Sequence, residues 1–336
     1  MCTSLTLETT NCEHLLGRTM DVSIKHNLSV DIIPRNYIWT NIAEKQEKKT
    51  KYAFMGISVG SDGHPILADG LNEKGLMCAM LDLTVFTQYS KIIVEGKENI
   101  APHDFVFWAL SQFKDLEEAK KSLQNLEIVH MPPNLLNLPP NLLNLTPLVH
   151  YILSDKSGKS IVVERTPKGL QVFDNPVGVM TNSPNFQWHL NNLYQYIGIR
   201  STQFDKVTWG NLELYPVTNG SGAFGLPGDF TSPSRFTRAV YLKNNLTQID
   251  NELEGINGIF HILSNCQVPK GAVITSDGKE HSTIYTSAMC SESGTYYYYT
   301  YDNTQISAIN LFNEDLNTVN IKSYPFRNNP IIHMEN

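Results

Sequence analysis

The chain opens Met1-Cys2-Thr3-Ser4-Leu5-Thr6-Leu7-Glu8, turns at Thr10-Asn11 and returns through His14-Leu15-Leu16-Gly17-Arg18-Thr19-Met20-Asp21. Two extended runs joined by turn residues read as an antiparallel meander that begins at residue 2. That reading puts a cysteine at the first position of a strand. Aminopeptidases remove an initiator methionine when a small residue follows it. Cys2 would then carry a free α-amine beside its thiol. A nucleophile needs a base, and here the residue supplies its own, an amine titrating at about 7.7–8.0 against about 8.5 for a thiol. Arg18 can hold the thiolate with its fixed charge, and Asp21 can orient the amine. The bland alternative is a small residue selected for methionine removal alone.

Outward from this meander, strands dominate. Leu28 to Pro34, Lys51 to Val59 and Leu76 to Leu83 are apolar extended runs, with Asp69-Gly70-Leu71-Asn72-Glu73-Lys74-Gly75 read as a turn. Val149 to Ser154 and Ser160 to Glu164 flank the turn Asp155 to Gly158, and Gly169 to Phe173 follows. Ser282 to Ala288 and Thr295 to Tyr301 form a hairpin around Ser293-Gly294. Helices come in two pairs: His103 to Phe113 with a helix capped by Asp115 and Glu118, then Ser232 to Asn244 with Asn257 to Asn265. This order predicts an α+β fold, a four-layer αββα sandwich of two antiparallel sheets. Residues 2–336 read as one domain, since no composition break divides them.

The length is 336 residues, and 41% hydrophobic with 18% charged is a globular composition. A net charge of −7 with no Lys/Arg block argues against nucleic acid. The N-terminus lacks the basic and apolar regions of a signal peptide, and no apolar run is long enough to cross a membrane as a helix. A cytoplasmic protein is expected. The five cysteines, Cys2, Cys12, Cys78, Cys266 and Cys290, are widely spaced, with no CxxC, so neither a disulfide framework nor a zinc site is expected. Cys78, Cys266 and Cys290 read as buried small apolar residues. The segment Pro132 to Leu138 is repeated residue for residue as Pro139 to Leu145, a duplication that a surface loop tolerates.

Two motifs are set aside. Gly56-Ile57-Ser58-Val59-Gly60 matches a nucleophile elbow, but turn sequence follows where a helix is required. Gly220 to Gly225 matches GxGxxG, but Pro227-Gly228 blocks its helix. His261 reads as a core histidine. No metal and no cofactor are expected.

Six stretches occur in order: Met1-Cys2-Thr3, Gly17 to Asp21, Asn72-Glu73-Lys74-Gly75-Leu76, Thr181-Asn182-Ser183-Pro184, Gly225-Leu226-Pro227-Gly228-Asp229 and Ser234-Arg235-Phe236. Together they resemble the choloylglycine hydrolase family of bile salt hydrolases and penicillin V acylases. The resemblance runs nearly end to end. It implies an N-terminal nucleophile hydrolase of αββα form, usually a homotetramer, that cleaves a non-peptide amide. It implies Cys2 as nucleophile with Arg18 and Asp21 as its partners, and Arg235 as an active-site arginine. It implies Asn182 and the backbone N–H of Asp82 as oxyanion donors, and Met20 and Ala68 as acyl-pocket residues. Taken alone, Asn182 reads as a turn residue before Pro184 and Arg235 as a helix-surface charge. Asp82 departs from the family, which has Asn or Tyr there, and would set a carboxylate beside the developing oxyanion. The implied reaction is hydrolysis of glycine- or taurine-conjugated bile acids. The alternatives are a penicillin V acylase and, outside catalysis, an inactive binder of sterol-like anions.

Overall fold

The computed structural model describes residues 1–23, 28–59, 65–130 and 146–336. The Pro132 to Leu145 duplication lies outside the described residues.

Two antiparallel sheets carry the fold. In the first, the strands run in the order Val179–Met180, Cys2–Glu8, His14–Val22, Glu280–Cys290, Thr295–Thr300 and Ser307–Asn310. In the second the order is Gly169–Asp174, Ser160–Thr166, Val149–Ser154, Met77–Asp82, Ile66–Asn72, Phe54–Val59, Leu28–Ile33 and Lys322–Pro325. Successive side chains of a strand point to opposite faces, and each strand of the second sheet sorts its residues accordingly. Met55, Ile57, Ala79, Leu81 and Ile152 fill the core between the sheets. Phe54, Cys78, Tyr151 and Leu153 fill a second core outside it, closed by the helices Phe105–Gln112 and Leu116–Leu123. Fully burying such a side chain is worth about 1.5–3 kcal/mol. The helices Ser232–Asn244 and Glu252–Ser264 cover the outer face of the first sheet through Phe236, Ala239, Ile256 and Ile259. The layers run helix, sheet, sheet, helix, as the sequence predicts.

Gly17 shows how closely a helix sits on the first sheet. A Cβ there would lie 2.3 Å from Ile259 Cγ2. Only glycine allows the strand to approach at that point.

Local readings differ from the sequence in four places. Asp69 to Asn72 is not turn but part of the buried strand Ile66–Asn72. The turn is confined to Glu73-Lys74-Gly75, where Gly75 has φ +94° and Asn72 Oδ1 accepts from the Lys74 and Leu76 N–H groups. The second helix of the C-terminal pair starts at Glu252, with Asn251 as its cap, rather than at Asn257. Gly255 and Gly258, both poor helix formers, hide its first turns. His261 is exposed, because the buried stripe of that helix is Ile256, Ile259, Phe260 and Leu263. Asp115 caps Glu118 as expected, but Glu118 returns its bond to Lys114 N instead of the cap residue. Cys78, Cys266 and Cys290 are buried, and all five cysteines are free.

Candidate active site

The strands Cys2–Glu8 and His14–Val22 pair with Cys2 opposite Met20 and Ser4 opposite Arg18. Even-numbered residues of this hairpin share the face toward the second sheet, and odd-numbered ones face the helices. Arg18 and Asp21, three residues apart, therefore fall on opposite faces. The two charged groups reach the start of the chain from opposite sides.

On the inter-sheet side, Arg18 is fully buried and its Nη2 donates to Cys2 Sγ at 2.9 Å. Nε and Nη1 are fixed by the carbonyls of Thr19, Ala68 and Met80 at 3.2, 3.1 and 3.0 Å, and Nη2 also reaches Met20 Sδ at 3.3 Å. Asp69 Oδ2 lies 3.6 Å from Nη1. Burial works against the guanidinium charge, but the surrounding groups, Tyr285, Cys2 and Asp69 first among them, outweigh it and hold Arg18 above the ordinary arginine range. Burial is the largest influence on Asp69 and pushes its carboxyl up; Arg18 and the hydroxyls of Tyr296 and Tyr285 act against it. Ala68 is the extra residue of a bulge, since Ile57 pairs Asp69 while Ser58 pairs Leu67. Bulges re-aim groups beside active sites, and this one turns the Ala68 carbonyl to Arg18. Met20 is half-buried, its Sδ 3.9 Å from Cys2 Sγ.

On the helix side, Asp21 is fully buried. Its carboxylate accepts from Thr283 Oγ1 at 2.6 Å and Thr19 Oγ1 at 3.3 Å, and lies 4.0 Å from Arg235 Nη1. A second bulge, at Ile284, sits against this position: Thr283 pairs Asp21 while Tyr285 pairs Met20. Met1 is present, so the Cys2 nitrogen is a peptide N–H. The backbone of Asp21 holds Met1 in both directions, accepting from the Met1 ammonium at 2.7 Å and donating to the Met1 carbonyl at 3.0 Å.

Arg235 is no surface charge. It is fully buried on the inner side of the helix Ser232–Asn244. Nη1 donates to the Cys2 carbonyl and to Thr3 Oγ1, and Nη2 to Asn182 Oδ1 at 2.7 Å. The Gly225 to Asp229 motif leads into this helix, with Asp229 accepting from Thr231 N and Ser234 Oγ. A guanidinium only donates, so it fixes which end of the Asn182 amide is oxygen. That oxygen also accepts from Cys2 N at 2.6 Å. Asn182 Nδ2 donates to the Asp82 carbonyl at 2.9 Å, and its second hydrogen remains. Leu83 N donates across the sheet to Leu148 O. In an antiparallel strand the N–H and C=O of one residue point to the same side and alternate with those of the next. The Asp82 N–H therefore faces the side of Asn182.

The Asp82 carboxylate does not follow its backbone. Oδ1 accepts from Thr84 Oγ1 at 2.5 Å and Oδ2 from Thr84 N at 3.4 Å, in exposed surroundings. Solvent screens a charge so placed. Replacing Asp82 with Asn is therefore expected to change kcat less than about twofold at any pH, because the solvated charge is screened from the site. A kcat–pH profile for both proteins checks this, and a large gain or loss would place the carboxylate at the reacting centre.

The seven other residues singled out in the sequence thus lie, directly or through one partner, against Cys2. Sequence reading missed Asp69, Tyr285, Tyr296, Thr3 and Thr283, which hold Arg18, Asp21 and Arg235. Asp69 carried a signal, a charged residue inside the apolar run Ile66 to Leu71, but Gly70 beside it favours the turn reading. The Asn72 to Leu76 stretch is structural: Asn72 Nδ2 donates to the Leu110 and Phe113 carbonyls and ties the turn to a helix. Among the described residues, no group of three or more His, Cys, Asp or Glu is placed to hold a metal, and no helix is long and apolar enough to cross a membrane.

A cysteine heading a strand of an αββα sandwich, with an arginine on its sulfur and an asparagine amide on its nitrogen, is the arrangement of an N-terminal nucleophile hydrolase. Residues 2–324 match the family model of linear amide C–N hydrolases, choloylglycine hydrolase family, and the chain belongs to that family. It is 44% identical to the bile salt hydrolase/transferase of Clostridium perfringens over 328 residues, 97% of each chain. It is 37% identical to that of Lactiplantibacillus plantarum, again over 97% of each. Among solved structures, the conjugated bile acid hydrolase of Clostridium perfringens superposes with a TM-score of 0.92 at 42% identity, covering 100% of both chains, in forms carrying C2A and R18L. A penicillin V acylase from Agrobacterium tumefaciens shares the fold, with a TM-score of 0.74 at 24% identity over 96% and 90% of the two chains.

Proposed function

We propose that this chain hydrolyses the amide bond of glycine- or taurine-conjugated bile acids, releasing the free bile acid and the amino acid. Arg18 Nη2 at 2.9 Å from Cys2 Sγ carries this reading, because a buried, fixed positive charge there stabilises sulfur anion. Once Met1 is removed, the Cys2 amine takes the thiol proton, with Asp21 and Asn182 Oδ1 orienting it. The sulfur attacks the amide carbonyl. Asn182 Nδ2 and the Asp82 N–H receive the oxyanion. The protonated amine then gives its proton to the leaving glycine or taurine nitrogen, forming a thioester and free amino acid. Water, activated by the same amine, attacks the thioester carbonyl and releases bile acid and thiol. An amine in place of water would give the transferase half of the relatives' name. Arg235 holds Asn182 and the Cys2 carbonyl in register. Met20 and Ala68 line the acyl side.

The protein is read as a single domain over residues 2–336, on the core shared by both sheets. A cytoplasmic location is supported by five unpaired cysteines. A homotetramer is supported by the resemblance and by an exposed apolar region. That region is the hairpin Val207–Trp209 and Leu212–Leu214, continuing through Tyr215, Val217 and Phe224, with Trp209 73% and Phe224 89% exposed. Apolar patches of this kind mark association surfaces.

Glycocholate, taurocholate and penicillin V assayed side by side test the function. Conjugated bile acids should have a kcat/KM at least about tenfold above penicillin V, a difference of about 1.4 kcal/mol in transition-state binding. The reverse order would make the chain a penicillin V acylase, and turnover of none would favour a binder.

A further inference from the structure

Asn182 follows the two-residue strand Val179–Met180 and precedes the helix Phe186–Asn192, so no sheet ladder holds its carbonyl or that of Thr181. Two buried imidazoles do instead. His150 Nε2 lies 2.8 Å from Thr181 O, and His189 Nε2 lies 2.8 Å from Asn182 O. A carbonyl only accepts, so both Nε2 atoms carry protons. His150 Nδ1 lies 3.0 Å from Glu164 Oε1, which also accepts from Phe186 N at 2.9 Å. The contact between His150 Nδ1 and Glu164 Oε1 therefore needs one further proton, which makes an ion pair when His150 carries it and a neutral hydrogen bond when Glu164 does. All three side chains are buried, and Glu164 is 0% exposed. His189 stacks on Phe236, the neighbour of Arg235, with ring centroids 4.8 Å apart. Burial, the largest influence, lowers the His189 pKa to about 4, so the ring is neutral at neutral pH and its one proton sits on the nitrogen facing Asn182. Among the described residues, Glu164 Oε2 and His189 Nδ1 are buried without a hydrogen-bond partner. Leaving buried polar atoms unsatisfied costs stability, so the cluster is a poor choice for stability alone.

We propose that Glu164, His150 and His189 are positioning residues that hold the Thr181-Asn182 backbone and so aim the Asn182 amide at the oxyanion. The proposal rests on the reading of Asn182 as an oxyanion donor. It adds a polar clamp that acts on kcat without touching substrate or Cys2. Glu164→Gln keeps size and removes the carboxyl on which His150 Nδ1 and Phe186 N converge. Misplacing a catalytic group by about 1 Å can cost on the order of a hundredfold, so Glu164→Gln should lower kcat by about tenfold or more. KM for glycocholate and the rate of Cys2 alkylation by iodoacetamide should both stay within about twofold, since substrate pocket and thiol are untouched.

The deciding comparison places Glu164→Gln in an Asn182→Ala background. If the clamp acts through Asn182, the second substitution costs nothing further, as expected for residues acting as one unit. A Glu164→Gln loss that persists in full there overturns the proposal, and so does a kcat within about twofold of the parent, a change too small for a displaced donor. An Asn182→Ala enzyme with full kcat overturns the oxyanion reading itself, which separates the two failures. Should Glu164→Gln fail to fold, His189 reads the same question. His189→Gln keeps a donor for the Asn182 carbonyl and should hold kcat within about threefold, while His189→Leu should lose about tenfold. Equal kcat in that pair contradicts the clamp.

Discussion

Cys2→Ala is expected to abolish turnover of conjugated bile acids and leave the fold intact. Removal of the nucleophile of another covalent hydrolase costs about a millionfold in kcat, and on the proposed mechanism Cys2 is the nucleophile here. The side chain lost is small, 3% exposed and at the end of its strand, so the sheet pairing from Thr3 to Glu8 survives. Thermal melting should therefore shift little while glycine release from glycocholate falls to background. Cys2→Ser should also be very weak. A hydroxyl is far harder to ionise than a thiol, and Arg18 cannot close that gap. Activity in Cys2→Ser comparable to the parent would mean that thiolate formation is not what Arg18 provides.

Asn182→Ala should be the next most damaging change. Loss of one oxyanion donor costs about a hundred- to a thousandfold in kcat. Here the same side chain also supplies Oδ1 to Cys2 N and Arg235 Nη2. Asn182→Asp separates the two roles. It keeps an acceptor for the amine and arginine but replaces the donor with negative charge where the oxyanion forms. Asn182→Asp should be at least as poor as Asn182→Ala, with KM affected far less than kcat. Recovery of activity in Asn182→Asp would show that anchoring the amine, rather than receiving the oxyanion, is what the residue does.

Features of the fold set by local pattern are legible in the sequence. Period-two alternation marked the hairpin of Cys2 and Arg18. Helical spacing marked Ser232–Asn244 to the residue. The grouping of Cys2, Arg18 and Asp21 follows from their positions within one meander. What was not legible depended on contacts far apart in the chain. Arg235 meets Cys2 across 233 residues, and Asn182 across 180. By local sequence these are a helix charge and a turn residue, and only the resemblance to a family raised them. Asp69 was misread for a related reason. Asp and Gly favour turns because their polar or missing side chains suit exposed backbone, but the buried Arg18, Tyr285 and Tyr296 supply Asp69 with partners that no local window contains. Asp82 is a third kind of case. The resemblance implies a role for its backbone N–H, while the direction of its carboxylate is set by the hydroxyl of Thr84 two residues on.

On the proposed mechanism Cys2, freed of Met1, is the acylated nucleophile. The most direct test is intact-mass and peptide analysis of the active enzyme, resting and acid-quenched during turnover of glycocholate. The resting protein should begin at Cys2. The quenched sample should carry one cholyl group on the N-terminal peptide, labile to hydroxylamine as a thioester is. A fully active enzyme that retains Met1, or an acyl group on any residue other than Cys2, would contradict the account.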